Sequence, residues 1–249
     1  MIKVLINGCN GRMGQVLVSE IDRFPELLLV GGFDIHDEGK NTFPVYSNID
    51  DIKEKPDVIV DFSVPVSSFN ILNYAIKEKV PTVIATTGFS KEELEKIKEI
   101  STIIPIFQSS NMSFDINLMK RIVAEVAKKL KGTDIEIIET HHNRKIDAPS
   151  GTAILLADAI NEVMDEKLEY NFNRHDIHEK RNPKEIGFSS IRGGNIVGEH
   201  SVAFFGDHET FEIKHTSYSR NVFAEGALKA AIFIADKNPG YYGMDDLVK

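Results

Sequence analysis

The chain has 249 residues, of which 42% are hydrophobic and 27% charged, and its 29 basic against 38 acidic side chains leave a net charge of −9. That length buries a core for one large domain or two small ones, and the composition is that of an ordinary soluble globular protein. The acidic balance excludes broad binding to a nucleic-acid backbone. No apolar stretch reaches the length of a membrane span.

In chain order, Ile2–Ile6 is a compact apolar run that predicts a strand, and Arg12–Ile21 carries Met13, Val16, Leu17 and Ile21 at helical spacing. Leu27–Phe33 and, after Pro56, Val58–Phe62 read as strands, Phe69–Lys77 as a helix, and Thr82–Thr87 as extended chain. Ser90 with Glu93 makes a capping box that opens a helix running to Lys98, and Ile103–Phe107 is another short strand. Strands that alternate with helices imply parallel pairing, because each crossover needs a helix over the sheet.

Past residue 112 the rhythm changes. Ile116–Leu130 predicts an amphipathic helix ended by Lys131-Gly132, then Ile135–Thr140 a strand and Thr152–Val163 a helix. A polar region leads to three strand-like runs, Ile186–Arg192, His200–Phe205 and Thr210–His215, the last two joined by a turn at Asp207-His208. A final amphipathic helix covers Val222–Asp236. The pattern predicts an α/β protein. A Rossmann-type parallel-sheet domain takes residues 1–112 and 219–249, and a smaller α+β domain with a mixed sheet takes 113–218. Two connecting strands imply a hinge that closes on ligand.

Cys9 is the single cysteine, so neither an internal disulfide nor a Cys-rich metal site is available, which points to the reducing cytoplasm. The opening MIKVLING is too short for a signal peptide and lacks its cleavage site. No metal is expected.

VLINGCNGRMGQVL places Gly8, Gly11 and Gly14 between a strand and a helix. Dinucleotide folds use glycine there because the turn is tight and the backbone closely approaches a pyrophosphate at the helix N-terminus. The spacing departs by one residue from the usual pattern, and Asn10 is the residue expected to take the remaining unusual backbone angles. Asp34 follows Gly14 by twenty residues, near the spacing at which an acid holds the adenosine ribose. Without that acid, a glycine-rich turn holding no ligand would explain the loop equally well. Ile35 and His36, not an arginine, come after Asp34, although Arg12 is placed to approach a 2′-phosphate. NADH, or use of both NADH and NADPH, is favoured over strict NADPH dependence.

ETHHNRKIDAPSGTA, from Glu139 to Ala153, is the stretch richest in reactive side chains. Histidine exchanges protons near neutral pH, and a partly desolvated lysine donates a proton or pairs with a carboxylate. PSGTA supplies a helix N-terminus with two hydroxyls, which favours an anion. Together they describe a site that grips an acid and protonates it. A zinc site is opposed by the two faces that adjacent strand residues take, and a serine hydrolase by the lack of a G-x-S-x-G elbow.

These residues resemble the 4-hydroxy-tetrahydrodipicolinate reductase (dihydrodipicolinate reductase) family along essentially the whole chain. GCNGRMG is similar to its nucleotide loop, ATTGF at Ala85–Phe89 to its nicotinamide-side loop, and ETHHNRKIDAPSGTA to its most specific signature. IRGGNIVGEH and HTSYSRNVFAEGA also match family motifs. The resemblance implies that His141 is a general acid/base and Lys145 a proton donor. It implies that His142 binds one substrate carboxylate, and that Ser150, Gly151 and Thr152 bind another. The cofactor site it implies comprises Gly8, Asn10, Gly11, Arg12, Met13, Gly14, Asp34, Phe62, Ala85, Thr86, Thr87, Gly88, Ser110, Asn111, Met112, Arg220 and Phe223. It further implies NADH- or NADPH-dependent reduction of a small dicarboxylate in lysine biosynthesis, and a homotetramer built on the second domain's sheet.

Two departures stand out. Asp115 occupies a position where the family usually has glycine, either crowding the cofactor or capping the next helix. The region 171–184 matches poorly, and its His175 and His178 read as solvated loop residues. A dehydrogenase for another amino or keto acid, and a nucleotide sensor without catalysis, are the competing functions.

Overall fold

The computed structural model describes residues 1–37 and 39–249. Its first stretch runs β1 (Ile2–Asn7), α1 (Arg12–Glu20), β2 (Leu27–Phe33), β3 (Val45–Tyr46), β4 (Val58–Asp61), α2 (Pro65–Glu78), β5 (Thr82–Ile84), α3 (Lys91–Ile100) and β6 (Pro105–Gln108). Next come α4 (Phe114–Lys129), β7 (Asp134–His141), α5 (Gly151–Val163), β8 (Glu169–Asn171), β9 (Glu185–Arg192), β10 (Gly198–Phe205) and β11 (Thr210–Ser217). The chain closes with α6 (Asn221–Ile234), β12 (Gly240–Tyr242) and α7 (Met244–Leu247). Two compact units result, Met1–Phe114 with Asn221–Lys249, and Asp115–Arg220.

The first unit is a seven-stranded parallel sheet in the order β12-β6-β5-β4-β1-β2-β3. Its strands read as unbroken apolar runs because both faces are covered. On one face Val4, Ile6, Val58 and Val60 pack with Leu17 of α1 and Ala227, Ala231 and Ile234 of α6. On the other, Leu5, Ile59 and Ile84 pack with Ile71 and Leu72 of α2 and Ile97 of α3. The capping box is present, Ser90 Oγ accepting from Glu93 N and Glu93 Oε2 from Ser90 N. Strand order reverses between β1 and β4, and open α/β sheets bind ligands beyond the strand ends at such a point.

Helix α2 begins at Pro65, four residues before the apolar periodicity announces it, because proline at the first helical position has a suitable φ and no N–H left over. Strand β12 was invisible in the sequence. Its three residues, Gly240–Tyr242, become a strand only by pairing with Pro105–Phe107.

The second unit is a five-stranded mixed sheet in the order β11-β10-β7-β9-β8. Strand β7 runs antiparallel to β10 and parallel to β9. Ile135 and Ile137 of β7 face Val123 and Ala127 of α4 and Leu156 and Ile160 of α5. Strand alternation carries Glu139 and His141 onto the same face. The register then aligns Glu139 with His200, His141 with Arg192, and His200 with His215. A row of polar side chains thus continues the apolar face across four strands. In the 171–184 segment, His175 and His178 are exposed, but Arg181 anchors the chain by donating to Asp134 Oδ1 (2.7 Å), Ile135 O (3.0 Å) and Glu185 O (2.9 Å).

Candidate active site

In the first unit, the β1–α1 turn is built by close approach. Gly8 has φ 80°, and a Cβ there would stand 2.7 Å from Phe62 O. A Cβ on Gly14 would meet Gly8 O at 2.1 Å, so the helix start lies directly on the turn. Gly11 is the N-cap of α1 and has no side chain to occupy the first-turn N–H groups. The expectation for Asn10 is corrected here: Lys79 is the non-glycine residue at positive φ among the described residues, and Asn10 does not share that conformation. Asn10 acts through hydrogen bonds instead. Its backbone N–H donates to Asp34 Oδ2 (3.0 Å), its Nδ2 donates to His36 O, and its Oδ1 accepts from Asn41 (2.7 Å).

Gly8, Asn10, Gly11, Asp34 and Phe62 line one cleft of about 620 Å³, together with Ile35, His36, Ser63, Val64, Val66 and Asn70. Beside it lies a buried polar knot. Asp61 accepts from Asn7 Nδ2 (2.8 Å), Ser63 Oγ (2.5 Å) and Ser68 Oγ (2.5 Å). Burial pushes the Asp61 carboxyl up, against the pull of those donors and Thr86. Thr86 Oγ1 accepts from Ser63 N (2.8 Å), linking the knot to the Ala85–Gly88 loop. Ala85 and Met112 are buried, and Phe223 packs on the core that holds them. Arg12, Thr87, Gly88, Ser110 and Arg220 are exposed, and Met13 is half-buried. Asn111 Oδ1 accepts from Ser113 N (3.0 Å).

In the second unit the reactive stretch closes into a network. His141, 8% exposed, ends β7 with Nδ1 2.5 Å from Glu139 Oε2. Arg192 holds both oxygens of Glu139, at 2.8 and 2.6 Å, and donates to Asp147 O at 2.6 Å. His142 N donates to Ile196 O (2.7 Å) and Gly193 N to His141 O (2.9 Å), pinning the loop after β7 to the loop after β9. Nδ1 of His142 is buried without a hydrogen bond. Lys145 Nζ pairs with Asp147 (2.9 Å), which lowers the Asp147 carboxyl.

Ser150 caps α5, its Oγ accepting from Ala153 N (3.1 Å), and the same Oγ lies 2.8 Å from His200 Nε2. Gly151 and Thr152 open the helix, whose first-turn N–H groups have no intrahelical acceptor. Burial lowers the proton affinity of His141, His200 and His215, taking His200 down to about 3. Asp115 lies inside the first turn of α4, and its charge raises His215 against that burial. Burial therefore favours the uncharged form of the imidazoles in this row, of which His141 ends β7 and His200 meets the serine that opens α5.

Models of one protein family match nearly the whole chain. The model of the dihydrodipicolinate reductase N-terminus matches residues 2–112, and that of its C-terminus matches residues 115–248. The chain belongs to the dihydrodipicolinate reductase family. The 4-hydroxy-tetrahydrodipicolinate reductase of Caldanaerobacter subterraneus is 51% identical, covering 100% of this chain and 99% of that one. The enzyme of the same name from Clostridium tetani is 48% identical over 98% of this chain and 96% of its own. The dipicolinate-bound dihydrodipicolinate reductase from Paenisporosarcina superposes with a TM-score of 0.82 at 28% identity, covering 99% of both chains. A myo-inositol dehydrogenase from Corynebacterium glutamicum, at 17% identity, 100% and 92% coverage and TM-score 0.61, shares the fold alone.

Within this dihydrodipicolinate reductase family member, four residues of the network were not singled out from the sequence: Glu139, Arg192, Gly198 and His200. Glu139 carried a usable signal, since E-x-H on a strand puts both side chains on one face. Arg192, Gly198 and His200 lie in the matched IRGGNIVGEH motif, but Arg192 and His200 gain a role only by pairing with β7, and Gly198 only by lying against the His141 ring, where a Cβ would stand 3.1 Å from Nε2.

Proposed function

We propose that this chain reduces 4-hydroxy-tetrahydrodipicolinate to tetrahydrodipicolinate in the diaminopimelate route of lysine biosynthesis, as a cytoplasmic homotetramer. It is an oxidoreductase of the family to which it belongs. The observation that carries the site assignment is the convergence of His141, Ser150 and Glu139 in one buried network beside the Lys145 loop. A nucleotide sensor needs none of these residues.

The cleft of the first unit fits a dinucleotide. Gly8 and Gly14 leave room for backbone approach, Gly11 leaves the helix start bare, and Asp34 presents a carboxylate at the rim. Gly8–Gly14, Asp34 and Phe62 hold the adenosine and pyrophosphate part, and Ala85–Gly88, Ser110–Met112, Arg220 and Phe223 serve the nicotinamide part. Reduced nicotinamide supplies the hydride. NADH, or both cofactors, is used, since no arginine follows Asp34.

The substrate acid is gripped at the start of α5 by Ser150, Gly151 and Thr152, and its second carboxylate by His142, whose Nδ1 lacks an internal partner. After water leaves the ring, the carbon–carbon double bond this creates beside the ring imine is reduced: hydride adds to its far carbon, and the carbon next to the imine takes a proton from His141 or Lys145, so that the C=N bond remains. Proton balance then returns through the imidazole. Assembly uses the sheet face opposite α4 and α5, where Ile138, Ile191 and Phe205 are exposed.

Turnover of freshly made substrate with NADH and NADPH, followed at the nicotinamide absorbance band, tests the reading. Wild type is expected to turn over, with Lys145→Ala slowed about a hundredfold or more. Inactive wild type, or an unimpaired Lys145→Ala, overturns it. Another small acid outperforming this substrate in a panel would establish the competing dehydrogenase.

A further inference from the structure

Glu139 is 1% exposed and accepts hydrogen bonds from His141 Nδ1 (2.5 Å) and Arg192 Nη1 (2.8 Å) at Oε2, and from Arg192 Nη2 (2.6 Å) and Ser150 N (3.2 Å) at Oε1. An ionised carboxylate only accepts, so the proton in the His141 contact sits on Nδ1. Nε2 is then the ring nitrogen left for chemistry. Arg192 reaches from β9 with a bidentate fork and spends a further N–H on Asp147 O, so one guanidinium joins two strands and the loop bearing Lys145.

We propose that Glu139 and Arg192 are positioning residues: Glu139 fixes the tautomer and ring orientation of His141, while Arg192, through its two-point grip, holds and aims Glu139. Neither touches the substrate. The inference deepens the reductase reading and rests on it for the kinetic part only.

Electrostatics support the same division. Burial alone would raise Glu139, but hydrogen bonds from Arg192, Ser190 and His141 outweigh it and hold the carboxyl at about 2. For His141, burial lowers the proton affinity, Glu139 opposes that, and Lys145 and Arg192 add to it. The other titratable neighbours are His200 on β10, its ring 5.1 Å away and uncharged, with His215 on β11 beyond it, and Asp147, neutralised by Lys145. The two clamp residues therefore pull His141 in opposite directions. A purely structural ion pair would shift a neighbouring imidazole in the same two directions, so the His141 tautomer and a loss of kcat at nearly constant KM are what mark the positioning role.

Full-length protein labelled with 15N-histidine tests the clamp through long-range imidazole spectra taken from about pH 5 to about pH 9. His141→Gln assigns the resonance by its loss. Neutral wild-type His141 is expected as the Nδ1–H tautomer. Glu139→Gln is expected to lower the His141 pKa and mix its tautomers, with kcat falling about a hundredfold or more and KM changing by about twofold or less. Arg192→Met is expected to raise the same pKa, and Arg192→Lys to restore it toward wild type. An Nε2–H tautomer in wild type, or shifts of one sign in Glu139→Gln and Arg192→Met, overturns the proposal. Should Glu139→Gln not fold, the wild-type tautomer and the two Arg192 variants decide. A wild type inactive on this substrate overturns the function, while the tautomer still judges the clamp.

Discussion

Ser150 Oγ stands 2.8 Å from His200 Nε2 and 3.1 Å from the backbone nitrogen of Ala153. One hydroxyl thus caps α5 and ties it to the middle of the sheet. Ser150→Ala strips the cap and leaves a buried ring nitrogen unpaired, so it is expected to destabilise the fold by about 1–3 kcal/mol. Urea unfolding of the two proteins measures this. A loss of only a few tenths would mean that the cap and the histidine contact contribute little.

Acid sensitivity follows from His200. Its proton affinity is pushed from the ordinary 6.5 to about 3 by burial, with His141 adding to the effect. Above about pH 6.5 neither state binds the proton. Below it the unfolded chain binds a proton that the fold refuses, so stability falls as pH drops toward 3, by up to about 1.4 kcal/mol per pH unit. Glu139, held at about 2 against 4.5, adds a loss of the same sign below pH 4.5. His200→Gln should flatten the decline between pH 6.5 and 4.5, leaving a residual slope from His141 and His215. Urea midpoints at about pH 7.5 and about pH 5 would show equal declines in both proteins if another group were responsible.

Gly198 gives the His141 ring its space. A Cβ there would lie 3.1 Å from His141 Nε2 and 3.8 Å from His200 Cε1. Gly198→Ala is expected to displace the ring by a few tenths of an ångström and to lower kcat about tenfold, with the far-ultraviolet circular dichroism unchanged. Unaltered turnover would show that Nε2 of His141 does not need this position.

The ribose-binding role proposed for Asp34 makes a prediction about cofactor choice. Its carboxylate is oriented by the N–H groups of Asn10 (3.0 Å) and His36 (3.3 Å), so it faces the cleft as a fixed charge. Asp34→Ser is expected to cut kcat/KM with NADH about tenfold and to shift the NADPH/NADH ratio toward NADPH, because a repelled 2′-phosphate becomes tolerable. An unchanged ratio would locate cofactor discrimination elsewhere.

Much of the fold was legible because its signals are local. Unbroken apolar runs marked β1, β4 and β6, the Ser90–Glu93 box marked α3, and Gly8–Gly14 marked the turn beyond β1. The helix-opening serine was equally plain, and Ser150 does cap α5. Less was legible where pairing supplies the structure. Gly240–Tyr242 has no strand pattern of its own, Pro65 precedes the helical periodicity, and Asn10 was assigned backbone angles that it does not adopt.

The sequence by itself determined the element order, the glycine turn and the presence of imidazole, ammonium and hydroxyl groups in one stretch, since these depend on neighbours within a few positions. Only the tertiary structure decided that Arg192 grips Glu139 across 53 residues and that His200 meets Ser150 across 50. The physical reason is strand register: alternation with buried Ile186 and Phe188 in β9, and with Val202 and Phe204 in β10, puts Arg192 and His200 on the inner face. Which residue of β7 each then meets is set only by the pairing of the strands.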